Sequence, residues 1–470
     1  MIPTNLKYQS KVESAPSRRY RSNIQPQNGS GSSSSGYGTG STIIINIPTR
    51  NNLALIPSES VLKFSTTMTT TAIARIANFD SHGAHGYINR LRVFHGSNLL
   101  QDIQDYHVLA KALYDFQVPL DATQGRFSAT TGTNNDTVGS LVNIANNTAG
   151  SADLTGGLIS SKPINRGKSY VNGALLTSAS TLANGSVITD NFSINLISLV
   201  GALAGGKYLP LFEMSSSPLR VEITLASAVN QVFNFDAGTP ANFTLYNVEY
   251  IAEFLELPDS AIQAIKAGSS SPLQMVIPDY RTYATSTVLQ NSVTQVSVPI
   301  AAKFSSLKSI VVSQRPTTGA TGLYPTSSSS FNLQSYTFRI GSEVLPSTAP
   351  STLPDFFNEA CKCFGSLADL NYQPSIDVDA FNGLYSQAAM TLYGQGQSLN
   401  SGSFLAGIDL ESYQNADKST IFSGLNTNNS DIFYQPIHNA TGANQAITYT
   451  AMACFDSVLV CENGVAYVRF

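Results

Sequence analysis

The chain has 470 residues, enough for two or three domains of ordinary size. Only 12% of them are charged, about half the usual share, so the polar surface falls to Ser, Thr, Asn and Gln. A net charge of −4 argues against a general nucleic-acid binder, and so sparse a charge argues against a freely diffusing enzyme.

Residues 1–41 carry Lys7, Lys11, Arg18, Arg19 and Arg21 against Glu13 alone, and they end in the Gly/Ser run 29–41. This composition reads as a flexible basic arm able to contact neighbouring subunits or phosphates. No long apolar run follows Met1, and no stretch approaches the roughly 20 apolar residues of a spanning helix, so neither signal peptide nor membrane span is expected. Four cysteines in a chain of this length do not suggest a disulfide framework.

β-type runs follow at 42–47 and 61–71. In the second, Leu62, Phe64, Thr66 and Met68 alternate with their neighbours, the period of a half-buried strand. Residues 87–95 and 98–103 form a hairpin around Gly96-Ser97. Tyr106, Leu109, Ala110, Leu113 and Tyr114 then share one helical face, predicting a helix near 104–117. Residues 118–190 are rich in Gly, Ser, Thr and Asn and read as a long surface loop. Strands resume at 192–198, 219–225 and 243–257. Pro258 opens a short helix that Gly268 closes, marking a linker at 258–271. Beyond it come strands near 293–298 and 307–313, a hairpin at 334–345, a helix near 354–364, and strands at 404–410, 431–437 and 446–467.

The second series repeats the first. YINRLRVFHGSNLLQDIQDYHVLAKALYDF at 87–116 is echoed by YTFRIGSEVLPSTAPSTLPDFFNEACKCF at 336–364. Gly96 and Gly341 mark the two turns, roughly 245 positions apart. The strands closing on Pro48 and Pro299 keep nearly the same offset, and the long runs 242–257 and 446–462 match in kind. The predicted fold is therefore all-β: two tandem eight-stranded jelly-roll sandwiches, 42–257 and 272–470, with short helices between strands.

Motifs for chemistry are weak. Gly201-Ala202-Leu203-Ala204-Gly205-Gly206-Lys207 matches a phosphate-loop pattern, but Tyr208 stands where Ser or Thr should hold magnesium, and Pro210 discourages the helix. His82, His85, His95 and His107 show no tetrahedral spacing. Cys361, Cys363, Cys454 and Cys461 read as buried reduced thiols. Asp102 with Asp105, and Asp377 with Asp379, lack a partner base in any recognisable catalytic context. No catalytic, cofactor or metal site is expected. The residues singled out are Lys7, Lys11, Arg18, Arg19 and Arg21, for inter-subunit or interior contacts.

The segments 92–116 (RVFHGSNLLQDIQDYHVLAKALYDF), 192–225 with its Tyr208-Leu209-Pro210-Leu211-Phe212 loop, and 446–470 together resemble the double jelly-roll major capsid proteins of tailless icosahedral DNA viruses. That lineage is adenovirus-hexon-like and includes polinton-like viruses. The resemblance implies a homotrimer with a pseudo-sixfold outline, tiling a virion shell. The partners it implies are neighbouring capsomers, minor capsid or penton proteins, the genome or an internal membrane through the arm, and a host receptor through outer loops. The long loop 118–190 departs from the family pattern. The chief rival is a β-rich receptor-binding, fibre or adhesin protein, which would more often carry short fibrous repeats. A secreted carbohydrate-binding or hydrolytic sandwich would normally carry a signal peptide and aromatic platforms, and this chain has no Trp.

Overall fold

The computed structural model describes the chain except residues 1–16, 30–35, 71–76, 133–168, 171–186, 236–239, 269–271, 290–294, 318–325, 366, 368–373, 377–380, 382–401, 413–422 and 440–444.

Apolar alternation builds the first sandwich. In Thr42–Ile47, Ile43, Ile45 and Ile47 are buried, and in Leu219–Leu225 every second residue from Leu219 is buried. One face of each strand must therefore meet a second layer. The first sheet runs in the order Arg18–Ile24, Pro240–Glu256, Val61–Thr70, Val187–Ile194. The second runs Thr42–Ile47, Leu219–Leu225, Ile88–His95, Asn98–Ile103. Between them Phe64, Tyr87, Phe192 and Phe243 interlock, with Tyr87 edge-on to Phe243 at 5.0 Å.

The second sandwich has the same two sheets in the same order. One is Leu273–Leu289, Gln445–Glu462, Leu307–Pro316, Leu405–Asp409; the other is Val298–Ile300, Ile432–His438, Leu333–Ile340, Glu343–Leu345. Tyr336, Phe338 and Tyr434 fill its centre, and Phe304 stacks on Phe455 at 3.8 Å. The repeat read in the sequence is thus a repeat of topology, strand for strand. Each glycine hairpin is followed by its helix, Tyr106–Gln117 in the first roll and Leu353–Lys362 in the second. Thr352 caps the latter by accepting the Asp355 amide at 3.4 Å. The helix Asp259–Gly268 joins the rolls inside the expected linker.

Two expectations change. Arg18–Ile24 is not part of a flexible arm: it pairs antiparallel with residues 250–256 as an edge strand of the first roll. The first roll therefore begins at Arg18 rather than at 42. Its counterpart Leu273–Leu289, which the sequence reading did not find, opens the second roll. Pro278 breaks the apparent pattern of that strand, yet an edge strand tolerates proline because one row of its amides needs no ladder partner. Of the expected loop 118–190, Leu120–Gln124 and Arg126–Thr131 are helical, and the strand Val187–Ile194 starts earlier than expected. Residues 133–168 and 171–186 of that loop lie outside the described residues.

Candidate functional site: the seam between the rolls

The two helices that follow the glycine hairpins meet where the rolls join. Lys111 is the one cation on the apolar helix Tyr106–Gln117, and it is buried. Its ammonium lies 2.9 Å from Asp80 Oδ1 and 3.2 Å from Asp115 Oδ2, the latter one helical turn on. It also donates to Ser81 Oγ at 3.2 Å and, across the seam, to Ser403 Oγ at 3.3 Å. Thr326 of the second roll donates its hydroxyl to Asp80 Oδ2. Burying such charges is costly, and the cost is offset only when each is paired and hydrogen-bonded. The network therefore specifies one relative placement of the rolls rather than adding much net stability.

A second polar row runs along the edge strand Asn98–Ile103. Gln101 Nε2 donates to Asp279 Oδ1 at 2.5 Å, while Gln101 Oε1 accepts from Ser198 Oγ at 2.8 Å and the Leu199 amide at 2.9 Å. Asn98 donates to the Ala466 carbonyl at 3.0 Å, and His95 Nδ1 accepts the Ala466 amide at 3.1 Å. Thr282 donates to the Gln104 carbonyl at 2.6 Å, and Ser216 to the Gly464 carbonyl at 2.7 Å. Burial pushes the Asp279 carboxyl up to about 6, against the pull of the Gln101 and Tyr280 N–H groups.

The residues named from sequence fall into several places. Lys7 and Lys11 lie outside the described residues. Arg18, Arg19 and Arg21 share the edge strand, with all three exposed. Arg19 is tied back to its own roll through Glu59 and, at 3.1 Å, Glu253.

The phosphate-loop look-alike is a seam element. Lys207 donates to the Val276 carbonyl at 2.7 Å, and a Cβ on Gly201 would lie 2.0 Å from the Leu196 carbonyl oxygen. That glycine serves close backbone packing.

The histidines are buried structural groups. His85 sits between the Tyr106 and Tyr114 hydroxyls at 3.0 and 3.1 Å, and burial lowers it to about 3. Burial also lowers His82, His107 and His438. Among the described residues no group of three or more His, Cys, Asp and Glu is placed to hold a metal. All four cysteines are free, and burial pushes the Cys454 thiol up to about 11 and Cys461 up to about 12, far from a reactive thiolate. Asp102 is held by Arg90 through two bonds of 2.8 and 2.7 Å. Asp377 and Asp379 lie outside the described residues.

Sequence reasoning missed the seam residues Asp80, Lys111, Gln101 and Asp279. The one local signal was a lysine on an apolar helix face with an aspartate four residues on.

These two tandem sandwiches with shared sheet order, joined along one seam, define a double jelly roll. Solved structures similar over nearly the whole chain have the same class of fold. The mavirus major capsid protein matches with a TM-score of 0.57 at 12% identity, over 100% of this chain and 93% of that one. The Faustovirus major capsid protein gives 0.55 at 10% identity, over 98% and 93%. A chain of the PBCV-1 virus capsid gives 0.57 at 10% identity, over 99% and 100%. No family model and no curated protein matches the sequence.

Proposed function

We propose that this chain is a major capsid protein: its copies associate as trimers with a six-sided outline that tile an icosahedral virion shell. The observation that carries the reading is the internal repeat of topology. Two sandwiches with one sheet order lie side by side in one chain, so three chains supply six similar walls for a closed ring. The whole-chain likeness to viral capsid proteins supports the same reading. So does the low share of charged residues, which lowers the desolvation cost of broad subunit contacts. The role is structural, without catalysis or cofactor. Neighbouring capsomers and minor or penton proteins are its partners. Lys7 and Lys11, outside the described residues, would serve contacts with neighbours, the genome or an internal membrane. A host receptor, met through outer loops, is a further partner in this reading.

Size-exclusion chromatography with light scattering, followed by electron microscopy, tests this. A particle of three times 50.1 kDa, and shells on assembly, are expected. A monomer at every concentration, or an elongated fibre, would overturn it.

A further inference from the structure

The same hairpin occurs in both rolls, and among the described residues only the first copy grips the other roll. Gly96 and Gly341 have φ of 58° and 60°, and a Cβ on either would lie 3.4 Å from a serine Oγ, Ser217 in the first roll and Ser430 in the second. The strand registers agree: His95 pairs with Leu219, and Ile340 with Ile432. This fixes the correspondence residue by residue. Glu343 stands where Asn98 stands and Asn429 where Ser216 stands; Gln101 pairs with Val93 across a bulge at Leu100, and the matching pair in the second roll is Leu345 with Phe338. Asn98 and Ser216 hold the second roll, whereas Glu343 and Asn429 are exposed. Among the described residues Glu343 makes no ion pair.

The receiving surface is also duplicated. In the second roll it consists of Leu273–Leu289 and the start of Val465–Arg469, which flank Gln445–Glu462 on opposite sides. In the first roll Arg18–Ile24 and Leu53–Leu55 flank Pro240–Glu256 in the same way. The turn entering Leu53–Leu55 is closed by the Leu53 amide donating to the Arg50 carbonyl at 3.2 Å. Arg18, Arg21 and Arg50 are exposed there, and among the described residues none makes an ion pair.

We propose that the Glu343–Leu345 edge and the Asn429 turn of one copy seat on the Arg18–Ile24 strand and the Arg50 turn of a second copy, with Glu343 facing Arg50. The inference rests on the trimeric capsomer reading and names the surfaces that close its ring. The seam within the chain and the seam between chains then alternate around that ring, built on one geometry. They differ in chemistry. Leu345, at the register position of Gln101, cannot reproduce the Gln101 bond to a buried carboxylate, so the seam between chains relies on exposed opposite charges and weakens with salt.

The test is charge reversal and its rescue. Glu343→Lys, Arg50→Glu and the double variant are compared with the unaltered chain by light scattering across a dilution series at low and physiological salt. Unchanged melting of the monomeric units controls for folding, since both side chains are exposed. Each single reversal is expected to shift the trimer midpoint about tenfold to higher concentration, because three ion pairs are lost per ring. The double variant is expected to regain most of that shift. Single variants that assemble like the unaltered chain, or a double variant as weak as the two singles combined, would overturn the assignment and leave the trimer reading standing. An unaltered chain that never forms a trimer would overturn both.

Discussion

Phe116 of the first roll stacks on Phe364 of the second, with ring centroids 5.1 Å apart and planes 23° apart. Phe116 lies in the last turn of the helix that follows its glycine hairpin and Phe364 two residues past the end of the matching helix, so the ends of the two segments meet. Phe357 and Phe381 complete the cluster at 6.1 and 6.2 Å from Phe116.

Because Phe116 is fully buried, Phe116→Ala should leave a cavity that its neighbours fill only in part. The expected loss is about 3–5 kcal/mol of unfolding free energy. Urea denaturation checks it, and a loss below about 1 kcal/mol would mean that the seam repacks freely.

Lys111→Met keeps the length of the side chain and removes the charge. It leaves Asp80 and Asp115 buried without their cation. The expected cost is about 3–5 kcal/mol. Replacing all three by apolar residues of similar volume should recover most of it, measured by the same denaturation. If the triple variant is no better than Lys111→Met, the network supplies stability in its own right.

Acid should destabilise the protein from about pH 6.5 downward. Burial lowers His85 to about 3 from an ordinary 6.5, and it lowers His82, His107 and His438 in the same direction. Below pH 6.5 the unfolded chain takes up protons that the folded chain refuses. Each such histidine then removes about 1.4 kcal/mol per pH unit until it protonates in place. Asp279 works the other way. Its folded value of about 6 exceeds the ordinary 3.8, so the folded chain protonates first and gains stability as pH falls between those values. Asp279→Asn retains the Oδ1 that accepts from Gln101 and Tyr280. It should therefore melt higher than the unaltered chain at pH 7 and equal to it near pH 4. Thermal melts from pH 4 to 8 read both effects, and a flat profile below pH 6.5 would contradict the histidine assignment.

Two truncations separate arm from strand. Removing residues 1–16 takes away no described strand and should leave the melting temperature unchanged. Removing residues 1–28 strips Arg18–Ile24 from the ladder, together with the Tyr20 ring that sits 5.6 Å from Phe254. That deletion should cost about 2 kcal/mol or more through lost apolar burial and an uncovered sheet edge. Equal stability of the two truncated chains would show that the edge strand adds nothing.

What the sequence alone determined is whatever has a local period. Ile43, Ile45 and Ile47, or Leu219 to Leu225, alternate because one strand face is buried, and that alternation is written in neighbouring residues. The glycine turns at 96 and 341, each followed by a short helix, exposed the repeat, and from it the all-β double sandwich. Arg18–Ile24 and Leu273–Leu289 escaped for opposite reasons of the same kind. The first is too polar and the second carries Pro278, and an edge strand tolerates both because one side of it is free. The seam escaped entirely. Lys111 finds Asp80 at 31 residues' separation and Ser403 at 292, and Gln101 finds Asp279 at 178. No spacing rule links such residues. Only the packing of one roll on the other brings them together, and only there does burial turn ordinary polar side chains into a network that must be complete.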